Sequence, residues 1–325
     1  MVDPLFQEPA ASHVVRLPVL GVTTTFVTDS PAVFDTILDV YGGWADLDAR
    51  SGVVAPSGAT VKIMVHDDPG TPDAEPAFGH RVVDPTLLRV AWNGGTGVAD
   101  ARRLESIAHL SADLVERKTE FVEGVLEPLT LFLLGALDRE PLHAAAVVRG
   151  DSAILLAGPS GTGKSTLAYA AWRHGFSLLA DEPVYVQLRP DFRVWGRRSR
   201  VHLVPDSTVH FPELRDHPPT RLPSGKSKVV VELRDRVRRY ADHAGICLLR
   251  RRDETRPALE RIAPERAVAE LSTDLEPGFD LFAGTIRERL ARIAQRGAWR
   301  LTLNSWPDQA LPFLDQVATE LESVP

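Results

Sequence analysis

Two hydrophobic periods run along this chain, and where each dominates divides it in two. In the first third, apolar and polar residues alternate in short runs. Val14–Leu20, Thr23–Thr28, Val61–Val65 and Leu87–Trp92 read as strands on that basis. Between the second and third, Ser30–Val40 switches to helical spacing. Ser30 stands in the N-cap position and Pro31 in the first helical position. His66 to His80 is rich in Pro, Asp and Gly and predicts a loop. Residues 101–137 predict helix in one or two pieces, with Pro128 as a break or a start. Val125 to Leu137 is apolar on most sides and so should be buried. These elements predict a small α+β domain over residues 1–125.

The remainder, residues 126–325, predicts a second, larger α/β domain whose first strand begins near Pro141. His143–Val148 and Ala153–Ala157 are apolar runs joined by Arg149-Gly150-Asp151-Ser152, a hairpin signal. Ser165–His174 is rich in helix formers and closes on Gly175. Strands follow at Phe176–Ala180, Val184–Leu188, Ile246–Leu249 and Trp299–Leu303. Residues 264–297 predict mainly helix, and Asp308–Leu321 predicts a final one. Residues 212–228 carry four prolines among charged residues and predict a long exposed flap. No internal repeat is present.

Composition narrows the class. Apolar residues make up 44% and charged residues 25%, as in ordinary globular proteins. The formal net charge of −7 argues against nucleic acid or an anionic membrane as partner. The single cysteine, Cys247, lies in an apolar run, reads as a small buried hydrophobe, and can form no disulfide within one chain. The N-terminus lacks a basic segment followed by an apolar core, and the longest apolar stretch is about half a membrane span. The expectation is a soluble, cytoplasmic protein.

The chemistry concentrates at Gly158-Pro159-Ser160-Gly161-Thr162-Gly163-Lys164-Ser165, which fits a phosphate-binding loop at every required position. Glycines let backbone N–H groups converge on phosphate oxygens. Lys164 can then reach β- and γ-phosphates, Ser165 can ligate Mg²⁺, and the helix starting there, Thr166 included, presents its positive end. The implied cofactors are ATP and Mg²⁺, with GTP or another phosphate donor as the alternative. Asp181-Glu182 follow the next strand directly. If that strand runs parallel to the loop strand in one sheet, both carboxylates end beside the loop. There one can accept a proton from an attacking hydroxyl and the other can hold Mg²⁺; a solvated turn is the competing reading. His143 alone reads more readily as structural than as catalytic.

Leu142-His-Ala, the loop with its flanks, His174-Gly-Phe and Leu-Leu-Ala-Asp-Glu182, in that order and spacing, resemble the HPr kinase-like branch of the phosphoenolpyruvate carboxykinase-type phosphate-loop fold. The resemblance is specific over about residues 140–188. It implies an α/β phosphate-loop kinase domain behind a smaller N-terminal α+β domain. It further implies Lys164 on the β/γ-phosphates, Ser165 and Glu182 at Mg²⁺, Asp181 as general base, and His143 near the γ-phosphate or acceptor. Glu182 stands where the family usually has a second Asp, one methylene shorter. The signature stretch that HPr-specific enzymes carry after the acidic pair is missing, which argues against HPr as substrate. A homo-oligomer is a further expectation.

Basic residues cluster from Arg193 to Arg252 with acidic ones among them, and most read as solvated surface. Lys226, Lys228, Arg198 and Arg200 are candidates to clamp transferred phosphate. No paired aromatic platform accompanies these basics, which argues against RNA. The expected function is therefore an ATP-dependent kinase acting on a hydroxyl, with a protein or peptide serine first and a small-molecule alcohol second. A nucleotide-gated scaffold without transfer is the alternative from another class. Carboxykinase chemistry would require further His and Lys metal ligands, which the sequence does not offer.

Overall fold

In a computed structural model the described residues are 12–47, 54–66, 78–92, 95–197, 199–221, 226–252, 256–273 and 284–323. Outside them lie the N-terminal residues 1–11, positions 67–77 of the predicted loop, Arg198, residues 222–225 of the expected flap, and 274–283 of the expected helical stretch. The chain forms two compact units, Met1–Arg139 and Glu140–Pro325.

The first unit is a seven-stranded mixed sheet with helices. Its elements are β1 (His13–Val19), β2 (Val22–Thr28), α1 (Pro31–Tyr41), β3 (Ala55–His66), β4 (Gly79–Asp84), β5 (Leu87–Trp92), β6 (Gly95–Asp100), β7 (Glu105–Ser111), α2 (Ala112–Glu116), α3 (Lys118–Phe121) and α4 (Glu127–Ala136). The strand order is β1-β2-β3-β7-β6-β5-β4, with β3 parallel to both its neighbours and the other pairs antiparallel. Helix α1 starts as its sequence demands. Ser30 Oγ accepts the Val33 N–H at 3.4 Å and Pro31 opens the first turn. Burial alternates along β2, β5 and β7, so one sheet face is covered and the other open.

Two expectations are corrected here. Residues 101–111 are not helical: Glu105–Ser111 is a strand whose Ser106, Ala108 and Leu110 point into the core. The domain boundary lies at Arg139/Glu140 rather than at 125/126. The reason is α4, which continues from a π-helical turn at Val122–Leu126 and packs on β3, β6 and β7. Its buried Leu129, Leu133 and Leu134 belong to the first unit's core. Pro128, at the start of α4, does not break it.

The second unit contains β8 (Glu140–Leu142), β9 (Ala144–Arg149), β10 (Ser152–Ala157), α5 (Lys164–Arg173), β11 (Ser177–Asp181), β12 (Val184–Gln187), β13 (Arg193–Gly196), β14 (Arg200–Leu203), β15 (Thr220–Arg221), β16 (Ser227–Glu232), β17 (Tyr240–Ala241), β18 (His243–Arg251), β19 (Ala258–Arg261), α6 (Pro264–Thr273), α7 (Ile286–Ala294), β20 (Ala298–Leu303) and α8 (Leu311–Glu322). Its central sheet has the order β11-β9-β10-β18-β20-β19. β10, β18 and β20 are mutually parallel neighbours, and β9 pairs antiparallel with both β10 and β11. β10 is buried at every residue, the pattern of a strand covered on both faces. Ile154 and Leu156 join one core with α5 and α8 residues; Ala153, Leu155 and Ala157 join another with α7.

Two smaller sheets complete the unit, β17-β13-β12-β8 and β14-β16-β15. The flap expected over 212–228 is thus partly built in. Leu214 is buried in a 3₁₀ turn, and β15 pairs with the start of β16. Cys247 is fully buried in β18, and burial pushes its thiol up to about 12. Among the described residues no helix is long and apolar enough to cross a membrane.

Candidate active site

Strand direction places the site. β11 and β10 run the same way, with β9 between them, so their C-terminal ends share an edge with those of β18 and β20. In open α/β sheets ligands bind beyond such ends. The segment Gly158–Gly163 leaves β10 there and enters α5, as a strand–loop–helix unit. Gly163 occupies the N-cap of α5 at φ +99°, a backbone setting that a side chain would resist. The first N–H groups of a helix have no partner within it, so this end faces outward with donors and a positive dipole.

Ser160 through Leu167 line one wall of a cleft of about 700 Å³. Lys164 is buried and tied down at its tip. Its Nζ donates to the Gly158 carbonyl at 2.7 Å and the Pro159 carbonyl at 3.3 Å, and lies 2.9 Å from Glu182 Oε1. The same Glu182 oxygen lies 3.3 Å from His143 Nε2. The expected residues Lys164, Glu182 and His143 therefore converge. Glu182 reaches them from a left-handed backbone, φ +47°, that costs a non-glycine residue free energy.

Asp181 sits apart from Glu182. Its side chain is 2% exposed and is not on the cleft surface. Oδ2 accepts the His202 N–H at 2.6 Å and lies 3.7 Å from His202 Nδ1. Oδ1 is buried without a hydrogen-bond partner, an arrangement that costs free energy unless something fills it. His202 itself lines the cleft.

The opposite wall comes from β14, the 3₁₀ segment Pro205–His210 and the start of β16. It is pinned to α5 by Tyr169, whose ring meets Phe211 edge-on at 4.7 Å and whose hydroxyl donates to Glu213 at 3.2 Å. Lys226 and Lys228 stand on this wall. Burial, and Lys226 beside it, lower the Lys228 ammonium's pKa, while Asp181 opposes them. Arg200 does not join them: its guanidinium is engaged with Glu232 at 3.1 Å across the β14–β16 pair. Unlike Lys226 and Lys228, it does not line the cleft. Gly158 and Pro159 shape the loop from behind without lining the cleft.

Sequence reasoning missed His202, Asp206, His210, Arg251 and Asn304, all of which line the cleft. They come from separate strands and turns, and no spacing links them. Burial chiefly, and Arg251 next, hold His210 below the ordinary histidine value against the pull of Asp308. Among the described residues no three of His, Cys, Asp or Glu converge as a metal cage. Ser165 and Glu182 would still suit Mg²⁺, which typically takes one or two carboxylates and completes its shell with phosphate and water.

No family model and no curated protein matches the chain. Among solved structures, the HPr(Ser) kinase/phosphatase from Coxiella burnetii aligns over 57% of this chain and 90% of its own, at 11% identity and a TM-score of 0.30. A likeness that slight carries no weight for activity, so any functional reading stands on the site.

Proposed function

We propose that the second unit is an ATP- and Mg²⁺-dependent phosphotransferase acting on a hydroxyl, with a peptide or protein serine as the first candidate acceptor. The observation that carries this is Lys164. A buried ammonium at the end of a glycine loop, held by Glu182 and Gly158, faces a cleft whose far wall carries Lys226 and Lys228. A buried cation without such partners would be strongly unfavourable, so the arrangement keeps its charge ready for an anion.

In this reading Ser160–Thr166 surround the triphosphate with N–H donors, and Lys164 exchanges part of its contact with Glu182 for the β- and γ-phosphates. Ser165 and Glu182 would hold Mg²⁺, which when bound neutralises charge on the phosphate oxygens. Asp181 takes the proton of the attacking hydroxyl; because its Oδ1 is buried off the cleft surface, this step requires the acceptor to enter beside His202, which holds Oδ2 from the cleft wall. The acceptor oxygen bonds to the γ-phosphorus as the bond to the β-bridging oxygen breaks, and the nucleoside diphosphate leaves. Lys226 and Lys228 neutralise the migrating phosphoryl group, and His143 steadies Glu182.

Calorimetric titration with MgATP, followed by phosphoryl transfer to a panel of serine peptides and small alcohols, tests this. Wild type should bind and transfer, Lys164→Met should lose binding, and Asp181→Asn should bind but transfer at least about 100-fold more slowly. Absence of nucleotide binding by wild type would sink the proposal. Binding without transfer to any acceptor would favour a nucleotide-gated scaffold, and undiminished transfer by Asp181→Asn would remove Asp181 as proton acceptor.

A further inference from the structure

Within the described residues of the second unit, the large apolar side chains that remain exposed are Val204, Val209 and Trp306. Two of them are tied to the cleft, Val204 by lining it and Trp306 through His210. Val204 and His210 line the cleft, Val209 precedes His210, and the rings of His210 and Trp306 meet at 5.5 Å and 72°. The chain neighbours of Trp306, namely Ser305 and Pro307, line the cleft, and Trp306 itself, which is not in the lining, adjoins it through His210.

The indole is exposed by construction. β20 ends at Leu303, and Asn304 then folds an Asx turn, its Oδ1 accepting the Trp306 N–H at 2.9 Å. Asn304 Nδ2 donates to Gln309 Oε1 at 2.8 Å, and Pro307 begins the next 3₁₀ turn. The turn is therefore held at both ends, while Trp306 stays 59% exposed. A tryptophan fixed in backbone and bare in side chain exposes apolar surface that a globular fold ordinarily covers.

Its position relative to the glycine loop follows from packing. The 3₁₀ turn after Trp306 packs against α5, and Leu303 stands 3.9 Å from where a Cβ on Gly163 would be. A ligand whose phosphates rest on the loop thus extends naturally along the β20 end. Polar groups border the apolar patch: Ser305, and His210 with a buried Nδ1 that has no hydrogen-bond partner. Flat apolar faces with polar edges are the chemistry of a heteroaromatic base.

Resting on the nucleotide reading above, we infer that Trp306, with Val204 and His210, forms the platform that receives the base of the bound nucleotide. The loop then holds the phosphates and the platform holds the base, so the two ends of the ligand are gripped by different elements.

The test compares ATP with inorganic tripolyphosphate, each with Mg²⁺, by calorimetry on the full chain as wild type, Trp306→Phe and Trp306→Ala. Trp306→Ala should weaken ATP roughly ten- to a hundred-fold while leaving tripolyphosphate unchanged, and Trp306→Phe should keep most of the affinity. Equal ATP affinity in wild type and Trp306→Ala overturns the platform while leaving the proposed function standing. So does equal loss for both ligands, which would mark Trp306 as structural. A wild type that binds neither ligand overturns the nucleotide reading and the platform with it.

Discussion

The two large sheets bury their strands differently. In the second unit, β10 is covered on both faces, and successive residues feed two separate cores. In the first, β5 and β7 alternate between a packed face and an open one where Arg89, Ile107 and His109 are exposed. The sheet covered on both faces has little free surface except at its strand ends, and there the loop, Glu182, Asp181 and the cleft wall assemble. The half-open sheet offers area; the covered sheet offers an edge. A site that must hold a buried lysine and an orphaned carboxylate oxygen needs the rigid, water-poor surroundings that only the second arrangement supplies.

The contrast is sharpest in the cores. Leu156→Ala should cost about 2–5 kcal/mol, because the space it leaves is walled on all sides. Ile107→Ala on the open face should stay within about 0.5 kcal/mol. Denaturant midpoints for the two variants measure this, and similar losses would erase the distinction between the sheets. Next in size is Glu182→Gln. It takes the carboxylate from Lys164 and should cost about 1–3 kcal/mol, read in the same way.

A smaller effect concerns acid. Burial lowers the folded-state pKa of His210, so below about pH 6.5 the unfolded chain takes up a proton before the folded one does. Stability contributed by the neutral ring is thus present above that pH and declines as pH falls toward the folded value. Wild type should lose more stability than His210→Gln between about pH 7.5 and about pH 5.5; equal losses in urea titrations would contradict this. Smallest is Arg200→Ala, which removes a largely solvated pair with Glu232 and should change stability by about 0–1 kcal/mol and nucleotide affinity not at all.

Much of this was readable in the chain, for local reasons. The helix from Pro31, the hairpin of β9 and β10, and the loop entering α5 each carry their own capping, turn or glycine signals. Lys164 and Glu182 were found because the loop pattern and the strand end fix them. What escaped lacks local pattern. β13 and β14 are four residues each, β6 carries two glycines, and β7 breaks polar–apolar alternation, with Glu105 beside Ser106 and Ile107 beside Ala108, in a stretch that also tolerates helix. His202 and His210 reach the cleft, and Trp306 reaches His210, through tertiary packing of β14, a 3₁₀ turn and the segment after β20. Arg200, paired with Glu232 and absent from the cleft lining, shows that a basic cluster marks where charge is plentiful without showing which of its members reach the cleft.

Cys247 has a practical consequence. It lies in β18 opposite Leu156 on one side and Trp299 on the other, and it is the chain's sole thiol. A protonated, enclosed sulfur cannot meet an alkylating reagent while those strands stay zipped. Its labelling rate therefore works as a stopwatch on separation of the central strands, with no label to introduce and no second thiol to confuse the reading. Nucleotide bound at the edge of the same sheet should slow that stopwatch in proportion to its affinity for the closed form.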